Sequence, residues 1–315
     1  MPIFNGVWSL TTQLQYDADW PKADGTRGIF AGGEGSNVID FVTIATAGNA
    51  ADFGDLTVPK NQSEGVSSST RGVFSSTSST SDDTLDYITI ASAGNATDFG
   101  DLSVGRRYML GGTSSSTRGV YAGGTSASTN PVDIIDYITI ANTGNASDFG
   151  NLTAARRQGG AGIQSGTRGV FISGNDGSSF SNVIDYITIG STGNATDFGD
   201  SGNGVVSNAG ASSSTRGLNV GGMNSSYADL NVIEYITIAS TGNATDFGDS
   251  TDTRSQTAGT SNLSRAIFGG GLYSGSNSDV IEFVTIASTG NATDFGNLTA
   301  TRLFIGACSN GHGGL

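Results

Sequence analysis

Two sets of charged side chains recur six times along the chain, and a few chemically distinctive residues occur only once. Arg27, Arg71, Arg118, Arg168, Arg216 and Arg265 each open a short apolar run. Asp40, Asp86, Asp136, Asp185, Glu234 and Glu282 each stand inside a β-branched, aromatic one. Asp gives way to Glu in two copies while the charge persists, so the negative group itself is required there. A ring of six ligand carboxylates is one reading, but an active site rarely needs equal copies. The expected role is structural: each Arg pairs with an acid of its own or the next unit, satisfying charge that is costly to bury alone.

The turn GNATDFGD also gathers oxygen donors, with Asn95, Asp98 and Asp101 in the second unit. Hard cations such as calcium use such ligands. The spacing, however, fits neither the EF-hand loop nor the Gly-rich nonapeptide repeat of calcium β-rolls, and Asn151 and Asn297 replace the last Asp in two units. The expectation is that Asn and Asp cap the turn by bonding their own backbone, with no metal and no other cofactor. Asn-Ala-Thr matches a glycosylation acceptor, a meaning that the lack of a visible secretory signal disfavours. Asp-Phe-Gly lacks the Gly-rich loop, catalytic Lys and catalytic loop that would make it a kinase triplet.

Catalysis has little to draw on. With one His (His312) and one Cys (Cys308), nothing matches a nucleophile–base arrangement, a disulfide framework or a zinc site. Loop acids such as Asp176 and Asp229 leave glycoside hydrolysis as the one enzymatic alternative. The expectation is that the chain is no enzyme.

The elements that position these residues are legible in the composition. Of 315 residues 49 are Gly, and a net charge of −14 comes from 24 Asp and 4 Glu against 12 Arg and 2 Lys. Surface helices draw on Glu and Lys, whereas Asp and Gly serve turns, so an all-β chain is expected. The negative balance argues against nucleic acid and anionic membrane surfaces. No apolar run approaches the roughly 18 residues of a membrane span.

Asp-Phe-Gly occurs six times, with Phe at 53, 99, 149, 198, 247 and 295, spaced 46 to 50 residues apart. Each copy closes a unit that reads, at 167–199, TRGVFISG, a loop, NVIDYITI and GSTGNATDFG. Four short strands in about 48 residues is the size of a propeller blade. The units run over about 26–57, 58–103, 104–153, 154–202, 203–251 and 252–300. The first lacks its leading strand, and 301–309 matches it. Joining the two would close a ring of six four-stranded blades and remove both sheet edges.

The double glycines after an apolar strand (Gly32-Gly33, Gly123-Gly124, Gly221-Gly222, Gly269-Gly270) and the spaced aromatics resemble kelch repeats, with Phe where kelch usually has Trp. The second and fourth units depart from this, with Ser75-Ser76 and Ser173-Gly174. The wording IDYITIGSTGNATDFG (184–199) resembles the kelch-like repeats of tail and other virion proteins of marine phages, notably those infecting cyanobacteria. That resemblance covers residues 26 to about 308. It implies a six-bladed kelch-like β-propeller and a non-enzymatic virion component, in a tail fibre or similar appendage, that attaches to a host surface. A cellular kelch-like protein-interaction scaffold and a sugar-acting propeller enzyme are the alternatives.

Alternate connections of a propeller emerge on opposite faces. Those before TRG and through STGNATDFG hardly vary, whereas those between the diglycine and the IDY strand are individual, and recognition is expected there. These loops combine small hydrogen-bonding side chains with occasional aromatics, which suits sugar rings. The candidates are Asn175, Asp176, Phe180, Asn224, Tyr227, Asp229, Tyr273 and Asn277. The expected ligand is a host cell-surface polysaccharide or another virion protein.

Residues 1–22 differ from the rest and hold both Trp residues. Trp8, Leu10, Leu14 and Trp20 are candidates for docking onto another virion protein, the alternative being a cover for the propeller. The opening GVWSLTTQLQ…DWP (6–21) resembles the short segment that often precedes such repeats. A homo-oligomer stays open.

Overall fold

A computed structural model describes residues 26–75, 79–160 and 162–315. The docking candidates Trp8, Leu10, Leu14 and Trp20 therefore lie outside the described residues.

The chain folds as a six-bladed β-propeller. Blade four shows the plan: an innermost strand Gly162–Gln164, then Arg168–Ile172, Val183–Thr188 and the outer strand Thr196–Asp200, all antiparallel. The innermost strands Gly65–Ser67, Gly111–Ser114, Gly162–Gln164, Ala209–Ser212, Ala258–Ser261 and Gly306–Ser309 neighbour one another in a closed ring about the axis. The first blade borrows its innermost strand from the chain end: Gly306–Ser309 pairs with Arg27–Ala31, setting Cys308 opposite Ile29. The ring closes as the sequence implies, and neither end leaves an open sheet edge at the seam.

The core lies between blades. One cluster joins Leu110, Val120, Ile135 and Phe149 of the third blade to Phe171, Ile187 and Ile189 of the fourth. Another carries Phe30, Val42 and Ile44 of the first against Ile267, Ile281 and Phe295 of the sixth, across the seam. The β-branched third strands serve this packing from both faces, which is why both faces carry apolar residues around the one buried acid.

The repeated glycines answer to close approach. Each Asp-Phe-Gly glycine lies beneath the Gly-Asn-Ala turn of the next blade; a Cβ on Gly150 (φ +146°) would stand 2.4 Å from the Gly193 carbonyl oxygen. At the diglycine both residues take positive φ, and the second amide donates to the connection from the outer strand, as in Gly124 N to Arg156 O (2.9 Å). In the sixth blade that pair is Gly270-Gly271, one residue beyond the pair picked out in the sequence, because three glycines stand in a row there. Ser173 holds the position at φ +63° in the fourth blade.

Candidate functional site

The repeated carboxylates are buried ion-pair partners, but their partners are not the repeated arginines. Arg302 pairs with Asp40 (2.5 Å), Lys60 with Asp86 (3.1 Å), Arg106 with Asp136 (2.9 Å), Arg156 with Asp185 (2.5 Å) and Arg254 with Glu282 (3.3 Å). Each cation comes from the connection leaving the preceding blade, which also supplies a hydroxyl: Thr153 donates to Asp185 at 2.6 Å and Thr299 to Asp40 at 2.6 Å. Burial pushes the Lys60 ammonium and the four guanidinium groups below their ordinary range, and the facing carboxylates partly offset this. Removing either partner would strand a buried charge.

Arg27, Arg71, Arg118, Arg168, Arg216 and Arg265, expected to fill that role, do something else. Each donates to a carbonyl of the next blade: Arg27 to Ile90, Arg71 to Ile140, Arg118 to Ile189, Arg168 to Ile238, Arg216 to Ile286 and Arg265 to Ile44, at 2.8–3.0 Å. Each also lies over the aromatic ring of its own third strand, Arg168 at 4.2 Å from Tyr186, whose ring meets Phe198 edge-on. A guanidinium that stacks on a ring and bonds the neighbouring backbone needs no carboxylate. The Asn of each Gly-Asn-Ala turn likewise reaches out rather than capping itself, as the sequence suggested. Asn95 accepts from the Asp55 amide (3.1 Å) and Asn194 from that of Asn151 (3.1 Å), both in the preceding blade. Among the described residues no group of three or more His, Cys, Asp or Glu could hold a metal ion.

The fifth blade breaks the pattern. Val205 stands where the others place a cation, and Asn219 where they place Phe or Tyr. Glu234 accepts instead from the Gly202 amide (2.8 Å) and from Asn219 (3.3 Å), and Asn219 accepts from Asn208. Burial raises the Glu234 carboxyl above its ordinary range.

The axial channel is closed at one end. Serines of the innermost strands lace it together: Ser67 donates to Ser309 O, Ser212 to Gln164 O, Ser261 to Ser212 O and Ser309 to Ser261 O, at 2.5–2.8 Å. The segment after Ser309 turns into this ring. His312, 2% exposed, sets Nε2 3.0 Å from Ser67 O and 3.3 Å from Ser114 Oγ, and the Gly313 amide donates to Ser212 O. Burial lowers the His312 imidazole to about 4. Inside, Glu64 stands where the sequence of the other five blades has Gly or Ala, walled in by the innermost strands, and burial pushes its carboxyl up to about 8. The cavity, about 50 Å³, has room for a few waters. At the other mouth Gln62, Tyr108, Gln158, Ser207, Gln256 and Phe304 all take φ of 55–58°. Their backbones link blade to blade, as in Gln158 N to Tyr108 O (2.7 Å).

That mouth opens on the variable-loop face. Most of the polar candidates there organise their own loops. Asp176 accepts from the amides and hydroxyls of Ser178 and Ser179, which lower its carboxyl to about 2. Asn175 accepts from the Gly177 amide, and Asn224 from the amides of Ser226 and Ala228. Asp229 bridges backbone-to-backbone with Met223. Asn277 donates to Glu34 (3.2 Å), and the Tyr273 hydroxyl meets Thr251 (2.6 Å). Two candidates remain presented: Tyr227, 77% exposed, stands edge-on to Phe180 with ring centroids 5.8 Å apart, joining the loops of blades five and four.

The residues that sequence reasoning overlooked are Glu64 and His312 in the channel, the cation set of the connections, and the second Arg of the doublets Arg106-Arg107 and Arg156-Arg157. The doublets were the available signal, since strand alternation sends neighbours to opposite sides. No protein-family model and no curated protein sequence matches the chain. The class that fold and loops define is a closed six-bladed β-propeller with one invariant and one individual face.

Proposed function

We propose that the protein is a non-enzymatic recognition module that presents the individual face of its propeller to a glycan on a host cell surface. We place it in a phage virion as a component of a tail fibre or similar appendage. The observation that carries the recognition role is Tyr227. It is a large aromatic side chain, 77% exposed, braced edge-on by Phe180, on the face where the blades differ. A braced, exposed ring flanked by Asn and Ser side chains offers a sugar both a stacking platform and hydrogen bonds. The virion setting rests on the resemblance of the repeated wording.

A glycan microarray probed with the wild-type chain and with Tyr227→Ala tests the recognition role. Losing the burial of an aromatic ring costs roughly 1.5–3 kcal/mol, so binding is expected to weaken roughly 10- to 100-fold while the melting temperature holds. Wild-type binding untouched by the substitution would refute it. Mass spectrometry of purified virions tests the setting, and would favour a cellular scaffold if the chain were found only in host cytoplasm.

A further inference from the structure

The twelve arginines divide into three sets. Six bond the next blade and stack on an aromatic ring. Four pair with buried carboxylates. Arg107 and Arg157 remain, and among the described residues their guanidinium groups alone meet neither a carbonyl nor a carboxylate. Arg107 lies over the Tyr108 ring at 4.8 Å, and the Nε of both is buried without a partner. A chain of net charge −14 thus holds two half-buried cations un-neutralised.

The two are neighbours on the variable-loop face. Gln158 N bonds Tyr108 O at 2.7 Å, so the residues just before them run side by side in adjacent blades. Arg107 pairs with Thr125 at the root of the blade-three loop. Arg157 exchanges backbone hydrogen bonds of 3.0 and 2.7 Å with Asn175, which bridges to Phe180, the residue that braces Tyr227. The blade-four loop also abuts that of blade three, since a Cβ on Gly177 would lie 2.9 Å from the Pro131 ring. Arg107, Arg157, Asn175, Phe180 and Tyr227 therefore form one strip. The loop's own acid, Asp176, is exposed, and its carboxylate accepts four hydrogen bonds from Ser178 and Ser179. The loops of this face also carry Glu34, Asp82, Asp133, Asp229 and Asp252, so Arg107 and Arg157 are the cations that an anionic chain can meet there.

We propose that this strip is a subsite for an acidic sugar, a uronic acid within a polysaccharide. The sugar ring meets Phe180 and Tyr227, and its carboxylate accepts from Arg157 and Arg107. The proposal rests on the glycan reading of this face and narrows it by charge. Planar guanidinium groups suit carboxylates, and a half-buried pair is screened less by salt than an exposed one.

The test is calorimetric titration of the intact chain with hexasaccharides of galacturonate, alginate and hyaluronate, each beside its neutral methyl ester. At least one acid is expected to bind roughly tenfold or more tightly than its ester, and to weaken as salt rises while the ester does not. Arg107→Gln with Arg157→Gln should bring the acid down to the ester's affinity, whereas Tyr227→Ala weakens both. Melting curves check the fold of each variant, and the salt series on wild type needs no variant. Equal binding of acid and ester, or an arginine variant that binds like wild type, overturns the charge selection while leaving the glycan reading standing. Binding of none of the acids or esters, with no hit on the microarray, overturns both.

Discussion

Replacing Arg156 by Met probes the buried ion pairs where the expected effect is largest. Its guanidinium bonds Asp185 (2.5 Å) and the carbonyls of Ser173 (2.9 Å) and Val183 (2.6 Å), with neither charged side chain exposed. Met fills the stem volume but leaves a buried carboxylate whose remaining bonds come from Thr153. Breaking such a pair costs about 3–5 kcal/mol. The fifth blade supplies an internal control, because Val205 occupies the cation's sequence position and burial raises Glu234, its bonds from Gly202 and Asn219 only partly offsetting this. An acid whose folded pKa lies above its unfolded value contributes full stability below the unfolded value, and loses it as pH rises through the folded one. Glu234→Gln should therefore cost no more than about 1 kcal/mol near pH 5 and become relatively more favourable as pH rises. Urea denaturation followed by circular dichroism at pH 5, 7 and 8.5 reads both. The reasoning fails if Arg156→Met costs less than about 1 kcal/mol, or if Glu234→Gln destabilises more at pH 8.5 than at pH 5.

Three further outcomes follow from the same geometry. Gly150→Ala drives a Cβ to 2.4 Å from Gly193 O, whereas Gly144→Ala meets nothing within 4 Å; denaturation should show the first costlier by at least about 1 kcal/mol. His312 has a folded pKa of about 4, below its unfolded value, so its contribution holds above about pH 6.5 and is lost as pH falls toward 4. On the order of 3 kcal/mol is at stake, and the melting-temperature difference between wild type and His312→Gln should shrink or reverse across that window. Deleting residues 306–315 removes the strand paired with Arg27–Ala31 and should abolish cooperative unfolding in calorimetry, since the seam then exposes an unpaired edge.

The architecture was legible because each blade is written in the same order, and because 301–309 supplied the strand that the first unit lacked. The charged sets were legible as sets but not as pairs. Asp185 and Arg168 both recur with their strands, yet side chains alternate across a strand, and the cation facing Asp185 arrives from Arg156 in a connection that varies from Lys60 to Val205. Nothing in the spacing reveals that Arg168 prefers a ring and the Ile238 carbonyl. Asn194 bonds across blades for the same reason: the Gly-Asn-Ala turn is local in sequence while its acceptor role is set by the neighbouring outer strand. On the variable face, residue type picked out Phe180 and Tyr227, which do meet. It could not separate them from Asp176 and Asn224, whose side-chain oxygens accept hydrogen bonds within their own loops. His312 was visible as a lone residue near the end, but its place in the channel depends on ring closure.

The most direct test of the central claim is amide chemical-shift mapping of the 315-residue chain titrated with the saccharide that binds it best. The account predicts perturbations at Arg157, Asn175, Phe180, Asn224 and Tyr227, with the Gly-Asn-Ala turns of the opposite face silent. Saturable shifts confined to those turns, with Tyr227 unmoved, would contradict it.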